Sequence, residues 1–150
     1  MKKYSFRLQP VLDIKTNRLN EKLVELAEIQ QVLSVEQEKI DNLKIAKNTA
    51  YEELIQIYSL EKTLNIQEVC NYKGYLGKID TEIKQQEERI ENIMFFVRQK
   101  QNEVNEALKE KKILEKLKEK EKTAYLSAFF AQEAKELDDI SSTRYAQMAS

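Results

Sequence analysis

Leu12, Leu19, Leu26, Leu33, Ile40, Lys47 and Leu54 stand seven residues apart, and all but Lys47 are Leu or Ile. A helix turns once in about 3.6 residues, so a seven-residue repeat holds one narrow stripe on one face over many turns. A second file, Ile29, Leu43, Ala50, Ile57 and Leu64, lies three residues further on and is broken by Glu36. Two apolar files at 3–4 spacing form the seam of a left-handed coiled coil. The pattern predicts a first helix over about residues 6–58, roughly 70–80 Å long at 1.5 Å per residue. Pro10 suits its first turn, and Asp13 follows near the positive end of its dipole.

The seam weakens over residues 59–65, where a turn is expected. Asn65-Ile66-Gln67-Glu68 then has the form of a capping box. A second helix is predicted over about residues 66–140, with a C-terminal tail over 141–150. Its seam runs through Leu76, Ile79, Ile83, Ile90, Ile93, Val97, Val104 and Ala107, with Gln86 and Lys100 as polar interruptions. Near 108–114 the phase slips, and Leu108, Ile113, Leu114 and Leu117 take it over, as in a stutter. Gly74 and Gly77 fall in the first three turns, each costing about 1 kcal/mol relative to Ala.

A short connection makes two amphipathic helices antiparallel neighbours. The expected fold class is therefore all-α: a single coiled-coil domain of two long helices in an antiparallel hairpin. Folding about residue 62 sets Leu12 near Lys112, Leu54 near position 70 and Asp13 close to Lys111. The second helix overshoots the first from about Ala124, leaving Tyr125, Leu126, Phe129 and Phe130 without a partner in the hairpin.

Composition agrees with long helices: of 150 residues 2 are Gly and 1 is Pro, and 34% are charged. The formal charge of -1 hides a basic N-terminus and a lysine run from Lys109 to Lys122. Interleaved Glu110, Glu115, Glu119 and Glu121 offset more than half of that run, and stacking aromatics are missing from it. That weighs against nucleic acid as a partner. The lone Cys70 permits no internal disulfide and suits reducing surroundings. No stretch approaches the length of a membrane span, and the first ten residues lack the apolar block of a secretory signal, so the cytoplasm is expected.

Chemistry finds little footing. There is no His, a single Cys and no Gly-Lys-Ser/Thr phosphate loop. The expectation is a non-enzymatic protein without catalytic, cofactor or metal residues, acting on no small-molecule substrate.

Phe6-Arg7-Leu8-Gln9-Pro10-Val11-Leu12 resembles the N-terminal signature of the FliJ family, soluble components of the bacterial flagellar protein-export apparatus. Asn71-Tyr72, Tyr75-Leu76 and Ile79 resemble the segment that family carries just past its turn. Lys112-Ile113-Leu114-Glu115-Lys116-Leu117 and Glu136-Leu137-Asp138-Asp139 are similar in position and type. The pair Gly74 and Gly77 departs from the family pattern.

The resemblance implies a hairpin like the shaft of the γ subunit in rotary ATP synthases. It implies that the end with both termini enters the pore of the hexameric flagellar export ATPase, promoting its assembly and activity. Phe6, Leu8, Gln9, Tyr125, Phe129 and Phe130 are the residues expected there. A contact with the cytoplasmic part of the membrane export gate is expected at Tyr72, Tyr75 and Ile79, and export chaperones are further partners. The implied location is the cytoplasm, at the inner face of the cell membrane beneath the flagellum. The alternative, from another class, is a generic coiled-coil scaffold or chaperone hairpin with no ATPase partner.

Overall fold

The computed structural model describes residues 3–60 and 65–149. Two helices account for nearly all of them: α1, Gln9–Leu60, and α2, Ile66–Ala149. They pack against each other as an antiparallel all-α hairpin. Residues 3–8 precede α1 without being helical, so α1 starts later than residue 6. Its first turn is anchored by the Leu12 amide, which donates to the Leu8 carbonyl at 2.9 Å. Asp13, one turn in, accepts from the Gln9 side-chain amide at 2.9 Å. Residues 59 and 60 of the expected turn are still helical, and 61–64 lie outside the described residues. Asn65 caps α2: its side-chain oxygen accepts from the Gln67 amide at 3.0 Å, supplying a partner to a donor that a helix start leaves open. No breaker follows, so α2 continues through the expected tail to Ala149.

Contacts divide the chain into two units, Lys22–Val104 and Met1–Glu21 with Asn105–Ser150. In the 22–104 unit the seam is the one the heptads predict. Ile40, Ala50, Leu54, Leu76, Ile79 and Val97 are buried. Ala50, Leu54 and Leu76 form one cluster, with Val69 and Tyr72 packed on it. Full burial of a Leu or Ile side chain contributes about 1.5–3 kcal/mol. Antiparallel register is fixed by charged rungs. Lys100 bonds Glu25 at 2.9 Å and Glu103 at 3.0 Å, while Lys22 reaches Glu103 at 3.3 Å. Lys47, the polar member of the first file, meets Asp80 at 2.6 Å.

Glu36 and Gln86, which interrupt the two seams, oppose each other and are both buried. The Gln86 amide donates to the Glu36 backbone carbonyl at 3.1 Å and to its carboxylate. Lys39 adds an ion pair at 3.1 Å, and Arg89 stands 3.8 Å away. These donors, Gln86 foremost, hold the Glu36 carboxyl below its ordinary pKa against the opposing effect of burial.

In the other unit, Phe6, Leu12, Leu19 and Ala107 are buried. The α2 seam keeps its heptad phase here through Lys111, Lys118 and Tyr125, all half-buried. The expected stutter is absent: Ile113 is 66% exposed and Leu117 faces solvent, although Leu108 and Leu114 do pack. Lysine serves at seam positions because its long stem lies along apolar surface while its ammonium reaches out. Lys118 donates to the Gln9 side-chain oxygen at 2.7 Å. Lys111 pairs with Glu115 at 3.5 Å, not with Asp13 as the folding-back register suggested.

Candidate partner-binding surfaces

The non-helical start of the chain shapes the surface of the unit that holds both termini. Tyr4 donates its hydroxyl to the Lys118 carbonyl at 3.2 Å. Its ring lies 5.5 Å from that of Tyr125, tilted by 46°. Tyr125 in turn stacks on Phe129 at 6.4 Å, and Phe129 meets Phe130 edge-on at 5.8 Å. Burial among the rings, with the Glu121 charge adding to it, pushes the Tyr4 phenol above its ordinary pKa.

This ladder sorts the residues expected at an ATPase contact. Phe6 is 5% exposed and belongs to the core, so it presents nothing to a partner. Leu8, Gln9, Tyr125 and Phe129 are half-buried, and Gln9 is engaged by Lys118. Phe130 alone of the six is largely open, at 61%. The uncovered part of α2 thus starts later than Ala124, because the N-terminal segment covers the seam as far as Tyr125. Tyr4 was not legible as part of this site, since it precedes the first helix and falls on no repeat. Beyond it, Leu126, Leu137 and Ile140 are exposed along α2.

The three residues expected at the export gate are divided in the same way. Ile79, 3% exposed, is a seam residue. Tyr72 is half-buried against the Ala50–Leu54–Leu76 cluster and donates its hydroxyl to Glu53 at 3.0 Å. That bond to a carboxylate, with burial, raises the Tyr72 phenol pKa. Tyr75 stands free of the seam, 49% exposed. Asn71, Tyr72 and Tyr75 line a shallow hollow of about 160 Å³. A Cβ built on Gly74 or Gly77 meets no atom within 4 Å, and neither glycine has a positive φ. Nothing within the fold requires glycine at either place; their effect is to leave bare backbone on both sides of Tyr75.

Among the described residues no group of three His, Cys, Asp or Glu side chains is placed to hold a metal ion. No helix among them is long and apolar enough to cross a membrane.

Comparison with known proteins gives a consistent result. The flagellar FliJ protein of Bacillus subtilis (strain 168) is 30% identical over 147 residues, covering 92% of this chain and 92% of its own length. The structure of a YscO homolog, CT670, from Chlamydia trachomatis shares the fold with a TM-score of 0.54 at 21% identity, over 95% of this chain and 96% of that one. The family described as flagellar FliJ protein matches residues 4–150. With a match of that extent and a relative of that identity, the chain belongs to the FliJ family.

Proposed function

We propose that this protein is a non-enzymatic stalk component of the flagellar type III protein-export apparatus. The unit holding both termini engages the hexameric export ATPase, promoting its assembly and activity. Family membership supports the setting. The observation that carries the ATPase contact is the uncovered apolar surface of α2 past Tyr125, where Leu126, Phe130, Leu137 and Ile140 are exposed. Apolar groups of this size left exposed to water mark interaction sites. A protein without chemistry of its own acts by binding one state of a partner better than another, and so shifts its equilibrium.

A second contact, with the cytoplasmic part of the membrane export gate, is centred on Tyr75 and the glycine-bared backbone beside it. It brings the protein to the inner face of the cell membrane, where export chaperones are further partners. The test is ring assembly and ATP hydrolysis by the export ATPase with the full chain and with Phe130→Ser/Leu137→Ser. Stimulation by the wild type and its loss in the variant, at unchanged helicity, are expected. A wild-type chain that leaves both ring assembly and hydrolysis unaffected would favour a scaffold or chaperone hairpin without an ATPase partner.

A further inference from the structure

The lysine run of α2 is diluted by glutamates along the sequence, but the helix turns three of the four away and leaves Glu119 alone among the lysines. Glu110 turns toward α1 and accepts from Lys15 at 3.0 Å, and Glu115 flanks the seam beside Lys111. Lys109, Lys112, Lys116 and Lys120 follow one another at steps of three or four residues and are all exposed. At 100° per residue they share the face opposite the seam. Counted in the sevens of the seam, Lys109 and Lys116 stand in file with Phe130 and Leu137, and Lys112 with Glu119, Leu126, Glu133 and Ile140, while Glu136 and Asp138 lie on the flanks. One face of one helix is thus basic in its first half and apolar and acidic in its second. Lys109 to Lys122 holds seven lysines against four glutamates, and Glu133 to Asp139 four carboxylates against one lysine. Neither half has used its charge: Lys112, Lys116, Lys120, Glu133, Glu136 and Asp138 are exposed without a salt bridge among the described residues.

We propose that this face is a self-association surface, on which α2 of a second copy packs antiparallel, crossing near Leu126. A two-fold interface sets the same patch against itself in reverse order, so a surface fits its copy when its two halves are complementary. Here the antiparallel arrangement lays Lys112, Lys116 and Lys120 of each copy along the acidic segment of the other and joins the apolar groups between them. A parallel arrangement would set lysine on lysine. Dimerisation covers Phe130 and Leu137, so it withdraws from other partners the surface proposed above to engage the ATPase. The pairing itself does not rest on that reading, because it is measured on the chain alone.

Sedimentation equilibrium of the full chain is expected to show a monomer–dimer equilibrium at low salt that shifts toward monomer as salt is added. Two charge reversals, Lys112→Glu/Lys116→Glu/Lys120→Glu and Glu133→Lys/Glu136→Lys/Asp138→Lys, should each weaken the dimer at least tenfold at unchanged helicity. An equimolar mixture of the two should restore association as a heterodimer. Phe130→Ser/Leu137→Ser should weaken it at every salt concentration. A chain that stays monomeric at low salt and high concentration overturns the proposal. So does a dimer indifferent to all these changes, which would be an exchange of helices between hairpins, and so does a mixture that fails to associate.

Discussion

Gln86 lays its side-chain amide on both the backbone carbonyl and the carboxylate of Glu36, and both residues are buried between the helices. This polar layer in an apolar seam is satisfied only while its two members face each other. Gln86→Leu removes the donor and leaves a buried carboxylate short of a partner, which should cost about 1–3 kcal/mol in urea unfolding. The double change Glu36→Leu/Gln86→Leu should be neutral or stabilising, since well-packed apolar residues often outdo a buried polar pair. Equal destabilisation by single and double variants would show that the layer packs by shape alone.

Acid sensitivity follows from the same residue and three others. Hydrogen bonds from Lys100, Lys15 and Gln86, in their respective clusters, hold the carboxyls of Glu25, Glu103, Glu110 and Glu36 below the ordinary glutamate range. A carboxylate depressed in the folded state contributes stability that is complete above its unfolded pKa and is lost as pH falls through the folded value. Melting temperature should therefore hold from neutrality down to the unfolded glutamate range, about 4.3, and decline below it. Glu36→Gln should melt lower at neutral pH and show a shallower acid decline. An acid limb identical to the wild type would remove Glu36 from the account.

The glycines make a prediction in the opposite direction. Gly74→Ala and Gly77→Ala should each raise stability by about 1 kcal/mol, because the added methyl meets open space and helical backbone entropy favours Ala. If the bare backbone beside Tyr75 serves the export gate, the same changes should weaken gate binding while the fold improves. Unaltered binding by the stabilised variant would separate the glycines from that contact.

Two residues expected at the same contact should behave differently. Phe6→Ala empties a core position and should destabilise by about 3 kcal/mol, the lower end for a buried Phe. Phe130→Ala alters an open side chain and should change stability by less than about 0.5 kcal/mol. Thermal unfolding of the pair checks the distinction before any partner is added. Tyr75→Ala and Ile79→Ala form the matching pair in the other unit, with the loss of stability confined to Ile79→Ala.

The hairpin, the antiparallel register and most of the seam were legible because the heptad period is a direct image of helical geometry. Asn65 was equally readable, its side chain being chemically suited to cap. The surfaces were harder. Phe6, which the family resemblance offered to a partner, is claimed by packing for the core, and Ile79, offered both to the seam and to a partner, belongs to the seam. The seam past Val104 misled because its phase is carried by Lys111 and Lys118, whose stems are apolar but whose letters read as charge. Tyr4 precedes the first repeat, so no periodicity announces it. The basic face of α2 was hidden because Glu and Lys alternate along the chain, and all of the run's glutamates but Glu119 leave that face only once the helix is wound.

The ladder of Tyr4 on Tyr125 has a kinetic consequence. Tyr4 bonds the Lys118 carbonyl across a sequence separation of 114, whereas Tyr72 and Glu53 join across 19. In an antiparallel pair each rung that forms leaves the next two partners already close, so loop entropy is met chiefly once, near Asn65. The Tyr4 clamp is then the last contact to close and the first to open. Its opening frees the rings of Tyr125 and Phe129 while the rungs at Glu25 and Lys47 stay zipped. The amide protons of Gln9 and Leu12, bonded to the Phe6 and Leu8 carbonyls, should accordingly exchange earlier than those near Leu76, in an opening that leaves the rest of the seam intact.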